Sequence, residues 1–199
     1  MTTLPNKSAC SNVGVSNIDS SNQDTLTWFV MRDLKRPNAK LPAYKFLSDI
    51  GFEVFTPMRQ LISTRLGRRT RCEVPVIPDI LFVKSTRNSL DPIVQRTATL
   101  QYRFAKGGSY CQPMTVRHSD MDKFIAAVAS TDTPVFYHPT ELLPNMVGKR
   151  IRIVGGALDG YEGALLSIRG SRKKRIIVEI PGIMAVGVEI NPDFIQLLS

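Results

Sequence analysis

Cysteine is scarce in this chain. Cys10, Cys72 and Cys111 are odd in number, widely separated and in no CxxC pair, which excludes a disulfide framework and a thiolate zinc site. They read as free thiols of a reducing compartment. Histidine is scarcer: His118 and His138 have no companion cysteine or carboxylate at ligand spacing, so both are expected at the surface or in caps. No apolar run approaches the roughly 18 residues of a membrane-spanning helix. The N-terminus lacks the apolar segment of a secretory signal. A cytoplasmic protein away from membranes is expected. There is no Walker loop, no GxSxG and no paired-glycine nucleotide fingerprint, and Gly107-Gly108 and Gly155-Gly156 stand too isolated to cradle a phosphate. These absences predict no enzyme, no cofactor and no metal.

Acidic residues are also in short supply, 17 against 26 Lys and Arg, for a net charge of +9. The excess is uneven. Residues 26–140 hold 17 basic and 9 acidic side chains, whereas residues 141–199 hold 8 and 6. A basic middle segment favours polyanions such as nucleic acid through steering and counterion release.

What is present divides the chain into four parts. Residues 1–25, with five Ser, four Asn and three Thr, bury too little to offset their ordering entropy and are expected as a disordered tail. Residues 26–130 read as an α+β domain, an antiparallel sheet with flanking helices. A strand opens at Thr27-Trp28-Phe29-Val30. A helix follows in which Ala43, Phe46, Leu47 and Ile50 share one face, stopped by Gly51. Residues 58–75 form an extended hairpin arm, with Arg65, Arg68, Arg69 and Arg71 clustered around Gly67. Ile80 to Val83 suit a central strand. A short helix is expected over 92–100, and a second over about 119–130, capped by Ser119, with Met121, Phe124, Ile125 and Val128 on one face. Residues 131–145, with Pro134, Pro139 and Pro144, read as a linker. From residue 146 to 199, short strands alternate with glycine turns, which fits a small closed barrel.

The segment Gly148 to Gly163 resembles a KOW motif. Ile151 and Ile153 alternate inward, Gly156 and Gly160 turn the chain, and Gly148 and Gly163 lie where it doubles back. Upstream, Trp28-Phe29-Val30, the basic arm and Pro78-Asp79-Ile80-Leu81-Phe82-Val83 are similar to the NGN domain of NusG proteins. NGN domain, linker and KOW domain, an SH3-like β-barrel, occur here in that family's order. The long N-terminal tail and divergent strand resemble the specialised RfaH-like and UpxY-like antiterminators. Two departures stand out. Asp79 replaces the glycine usual in housekeeping members, and Ile180-Pro181-Gly182-Ile183-Met184 lacks the aromatic expected where the family contacts a ribosomal protein.

The resemblance implies a monomeric elongation or antitermination factor for a specialised operon set. Its NGN domain would dock on the clamp helices of the largest subunit of RNA polymerase, and its KOW domain would recruit a small-subunit ribosomal protein or a termination factor. Positions carried over for polymerase binding are Phe29, Ile77, Pro78, Ile80, Phe82 and Phe104; Ile80 and Phe82, two apart on a strand, are the preferred pair. Arg32, Lys35 and Arg36 form one candidate patch for upstream or non-template DNA, and Arg65, Arg68, Arg69 and Arg71 another. The alternative reading is a KOW-type RNA- or ribosome-binding protein.

Overall fold

A computed structural model describes residues 24–35, 39–65, 68–104, 112–132, 134–142, 147–156, 158–166 and 174–198. The expected tail (all but its last two residues), Gly67, Gly107-Gly108, Arg36 and residues 167–173 lie outside the described residues, as do Cys10 and Cys111.

Strand β1 (Thr27–Asp33) is the spine of the first sheet. It pairs antiparallel with β5 (Ile80–Ser85), β6 (Leu100–Tyr102) and β7 (Thr115–Val116), while β2 (Glu53–Phe55) pairs with the outer side of β5. Opposed residues include Phe29 with Val83 and Val30 with Phe82. The period of two therefore sorts both strands into the same two layers. Phe29, Met31, Leu81 and Val83 pack with Ala43 and Leu47 of α1 (Ala43–Asp49) and Leu90 of α2 (Arg87–Arg96). Trp28, Val30, Ile80 and Phe82 pack on the opposite face with Met121, Phe124 and Ala127 of α3 (His118–Ala129). Both faces are covered, which is why β1 and β5 read as nearly continuous apolar runs.

Three local expectations need correction. Helix α2 begins at Arg87, five residues before the expected start, because Thr86 caps it by accepting from the Ser89 amide at 3.3 Å, and Pro92 sits in its interior. Helix α3 begins at His118; Arg117 precedes it without a side-chain cap, and the Ser119 hydroxyl instead donates to Asp120 Oδ1 at 3.4 Å. On α1, Ile50 lies past the helix end and is 47% exposed, so the buried stripe narrows to Ala43 and Leu47 with Phe46 half-buried.

Strands β3 (Met58–Arg65) and β4 (Arg68–Pro75) form the expected arm, a two-stranded ribbon of their own. The C-terminal part is a six-stranded antiparallel sheet built from β8 (Val135–Tyr137), β9 (Val147–Ile153), β10 (Glu162–Leu166), β11 (Arg175–Ile180), β12 (Met184–Glu189) and β13 (Ile195–Leu197), in the order β13-β9-β10-β11-β12-β8. Strand β8 comes from the segment expected as linker, which also holds a 3-10 turn at Pro139–Glu141. Among the described residues no pairing joins β8 to β13, so the strand order stays open where a closed barrel was expected.

Gly160, at φ +73, donates its amide to the Ile153 carbonyl at 2.8 Å, a left-handed conformation that L side chains rarely adopt. At Gly163 the constraint is space: a Cβ there would lie 2.8 Å from Tyr161 Cε1 and 3.0 Å from the Ile177 carbonyl oxygen.

Helix α3 packs against β1 on one side and β11 and β12 on another. Its Met121 and Phe124 share one apolar cluster with Trp28 and Phe82 of the first sheet and with Ile151, Ile153, Ile176, Val178 and Val186 of the second. A polar contact accompanies this packing: Lys123 Nζ of α3 lies 5.7 Å from the centre of the Tyr161 ring. Burial, with Glu179 and Asp120 nearby, pushes the Tyr161 phenol up to about 12.

Candidate functional site

The residues carried over as an apolar docking surface separate into two groups. Phe29, Ile80 and Phe82 are 3%, 7% and 0% exposed. They form the two layers beneath the helices, so none presents a free surface in this conformation. The preferred pair, Ile80 and Phe82, does share a face, but that face lies under α3. Period-two spacing groups residues without revealing which side a distant helix will cover. Phe104 is 48% exposed, Pro78 is exposed and Ile77 is half-buried.

Ile77 and Phe104 border a groove of about 580 Å3, with Arg32, Asp79, Gln101 and Arg103 along it. Phe104, two residues past the end of β6, forms an isolated bridge to Pro113. His138 and Ile183, from the C-terminal part, also line this groove. Asp79 acquires a role here: Arg32 donates to its Oδ2 from Nη2 at 3.0 Å and from Nε at 3.3 Å. The pair is well exposed and adds little stability, but it neutralises one of the cations expected to meet nucleic acid.

A second concavity, about 320 Å3, lies between the base of the arm and the segment that links β1 to α1. Lys35, Lys40, Lys45 and Arg59 line it, and Tyr44, Leu61 and Val74 contribute apolar surface. Its form depends on Asp33, which is only 7% exposed. Asp33 Oδ2 accepts from the Ala43 amide at 2.6 Å and Oδ1 from the Lys35 amide at 3.0 Å. A carboxylate at the end of β1 thus serves the first amide of α1, whose preceding residue, Pro42, has no side-chain cap to offer. Lys35 Nζ donates to the Leu41 carbonyl at 2.9 Å, which ties the segment to itself. Of these cations only Lys35 was singled out from sequence. Lys40, Lys45 and Arg59 were missed because they come from a loop, a helix and a strand that only the fold brings together.

On the arm, β3 and β4 pair from Met58 with Pro75 to Arg65 with Arg68. Arg69 and Arg71 are exposed. Among the described residues neither has an ion-pair partner. The arm and the basic cleft are contiguous through Arg59, Leu61 and Val74, which belong to both.

Ile151 and Ile153 are buried, and the six KOW-type positions lie on β9, on β10 or in the turn between them. The histidines have structural partners. His118 Nε2 lies 2.8 Å from the Leu26 carbonyl oxygen, and the His138 amide donates to Glu141 Oε2 at 2.7 Å in a capping arrangement.

Residues 26–125 match the protein family described as transcription termination factor nusG. The structure is similar to one described as "Domain interaction in Thermotoga maritima NusG", at 16% identity and a TM-score of 0.45, over 88% of this chain and 98% of that one. No curated protein matches the sequence.

Proposed function

This chain belongs to the NusG family of transcription factors, and from that premise we propose that it is an elongation or antitermination factor that rides RNA polymerase. The matched segment supplies Ile77, Phe104 and most of the groove they border, with His138 and Ile183 added from the C-terminal part, and that groove is the observation that carries the reading. An exposed aromatic beside a half-buried aliphatic, on a concave surface rimmed by Arg32 and Arg103, suits a helix laid into a groove. The clamp helices of the largest polymerase subunit are the proposed occupant, with Ile77 and Phe104 as anchors; Pro78 lines the basic concavity instead.

The arm and the adjoining cleft carry Lys35, Lys40, Lys45, Arg59, Arg69 and Arg71 toward the upstream or non-template DNA. Phosphates need only clustered cations at suitable spacing. The C-terminal sheet acts as a KOW-type module that recruits a second partner, a small-subunit ribosomal protein or a termination factor. Tethering through one chain raises the effective concentration of that partner at the polymerase. Asp79 and the missing aromatic at 180–184 support a specialised, RfaH-like or UpxY-like role on a restricted operon set, performed by a monomer in the cytoplasm.

The test is a pulldown of purified core RNA polymerase by the full chain and by Phe104→Asp and Ile77→Asp. Phe104 is exposed, so its variant is expected to keep the wild-type circular dichroism spectrum; Ile77 is half-buried against the core, so its variant is scored only with that spectrum retained. The wild type should bind, and each variant should lose at least tenfold in affinity. A folded wild type that binds RNA but no polymerase would favour the KOW-type RNA- or ribosome-binding alternative.

A further inference from the structure

The arm has two faces. In an antiparallel pair, directly opposed residues project to the same side and alternate along each strand. Arg59, Leu61 and Val74 on one side border the basic cleft, together with Glu73 and Pro75 at the base of the other. On the other side Ile62 stands opposite Arg71, and Thr64 stands opposite Arg69. All four are exposed, Ile62 by 68%. One step nearer the base of the arm, Gln60 Nε2 donates to Glu73 Oε1 at 3.1 Å across the same side, which holds the register. Neither guanidinium has an ion-pair partner among the described residues.

A solubility arm has no need of a β-branched aliphatic set between unpaired guanidinium groups. The combination matches the chemistry of base edges. Arginine reads guanine through O6 and N7, and apolar groups and threonine methyls meet the C5-methyl of thymine. The carrier also fits: the major groove of B-form DNA, about 12 Å wide, admits a two-stranded ribbon. The major groove of an RNA duplex is too narrow for side chains to read.

We propose that the Ile62–Thr64–Arg69–Arg71 face enters the major groove of duplex DNA and reads its sequence, with the arginines on guanines and the Ile62 and Thr64 methyls on thymines. The inference rests on the reading that the arm meets nucleic acid. It adds selectivity at base edges, which phosphate contacts do not supply.

The experiment selects duplexes with randomised centres on the full chain. Affinities of the selected and a scrambled duplex are then measured by fluorescence anisotropy across a salt series. Selected duplexes should share guanines next to thymines. Arg71→Lys keeps the charge, so it should weaken the selected duplex roughly tenfold and leave the scrambled duplex and the salt slope unchanged. Replacing the selected thymines with uracil, which lacks the methyl, should weaken the wild type but not Ile62→Ala combined with Thr64→Ser. Duplex binding with no enriched sequence would overturn sequence reading while leaving phosphate contact by the arm intact. Binding only to single strands or to RNA would also overturn it. Failure to bind any nucleic acid would remove both readings.

Discussion

Truncating Phe124 should weaken both sheets at once. The Phe124 ring is fully buried in the cluster that joins the first sheet, α3 and the C-terminal sheet. It meets Phe55 edge-on, with centroids 6.2 Å apart and planes at 89°. Phe124→Ala removes the transfer energy of the ring and leaves a cavity that α3, held from both sides, cannot collapse, so the cost should be about 3–5 kcal/mol. With a urea dependence of about 2 kcal/mol/M, the midpoint would fall by roughly 1.5–2.5 M. The protein carries its own reporter, since Trp28, the single tryptophan, is 1% exposed in the same cluster. Urea melts followed by Trp28 fluorescence read the first sheet, and far-ultraviolet circular dichroism reads both. The two signals should shift together in the variant. A Phe55→Leu background should reduce the effect by about 0.5–1.5 kcal/mol, the worth of an aromatic pair. A shift below about 0.5 M, or a fluorescence midpoint that moves while circular dichroism keeps a separate unshifted transition, would refute the idea that α3 unites the two sheets.

Two further outcomes follow from buried polar groups. Asp33→Ala leaves the Lys35 and Ala43 amides without their acceptor and should cost about 1–3 kcal/mol in urea melts; Asp33→Asn keeps one acceptor oxygen and should cost less. Tyr161 holds its proton more tightly folded than unfolded, its phenol standing at about 12 against an ordinary 10. Stability from this group is therefore complete below pH 10 and declines as pH rises toward 12. Tyr161→Phe should flatten that part of the stability–pH curve, and an unchanged alkaline slope would refute the assignment.

How much of this was legible from sequence depended on how local the cause was. Strand β11 runs from Arg175 to Ile180 as its β-branched run implies, and the arm forms around the Arg65–Arg68 pairing that the arginines and Gly67 suggested. The first sheet's layers follow from alternation in β1 and β5 alone. Alternation could not say that α3 would lie over Ile80 and Phe82, because the covering side chains arrive some 40 residues later in the chain. Helix α2 was misplaced because its Thr86 cap and interior Pro92 send opposite signals about where it starts. Strand β8 escaped notice because three residues among prolines carry no periodicity, and their partners in β12 are far along the chain. The basic cleft is a meeting of a loop, a helix and a strand, each carrying an unremarkable one or two cations.

The pairing of β8 with β12 also has a consequence in time. Tyr137 waits for Ala185, a gap of nearly fifty residues, which at about 5–20 residues per second of synthesis lasts roughly 2–10 s. Until β11 and β12 leave the ribosome, the outer side of α3 and the edge of β8 have nothing to lie against. A growing chain therefore covers the outer side of α3 only near the end of its own translation, and a message cut short before β12 yields a product in which that side stays bare.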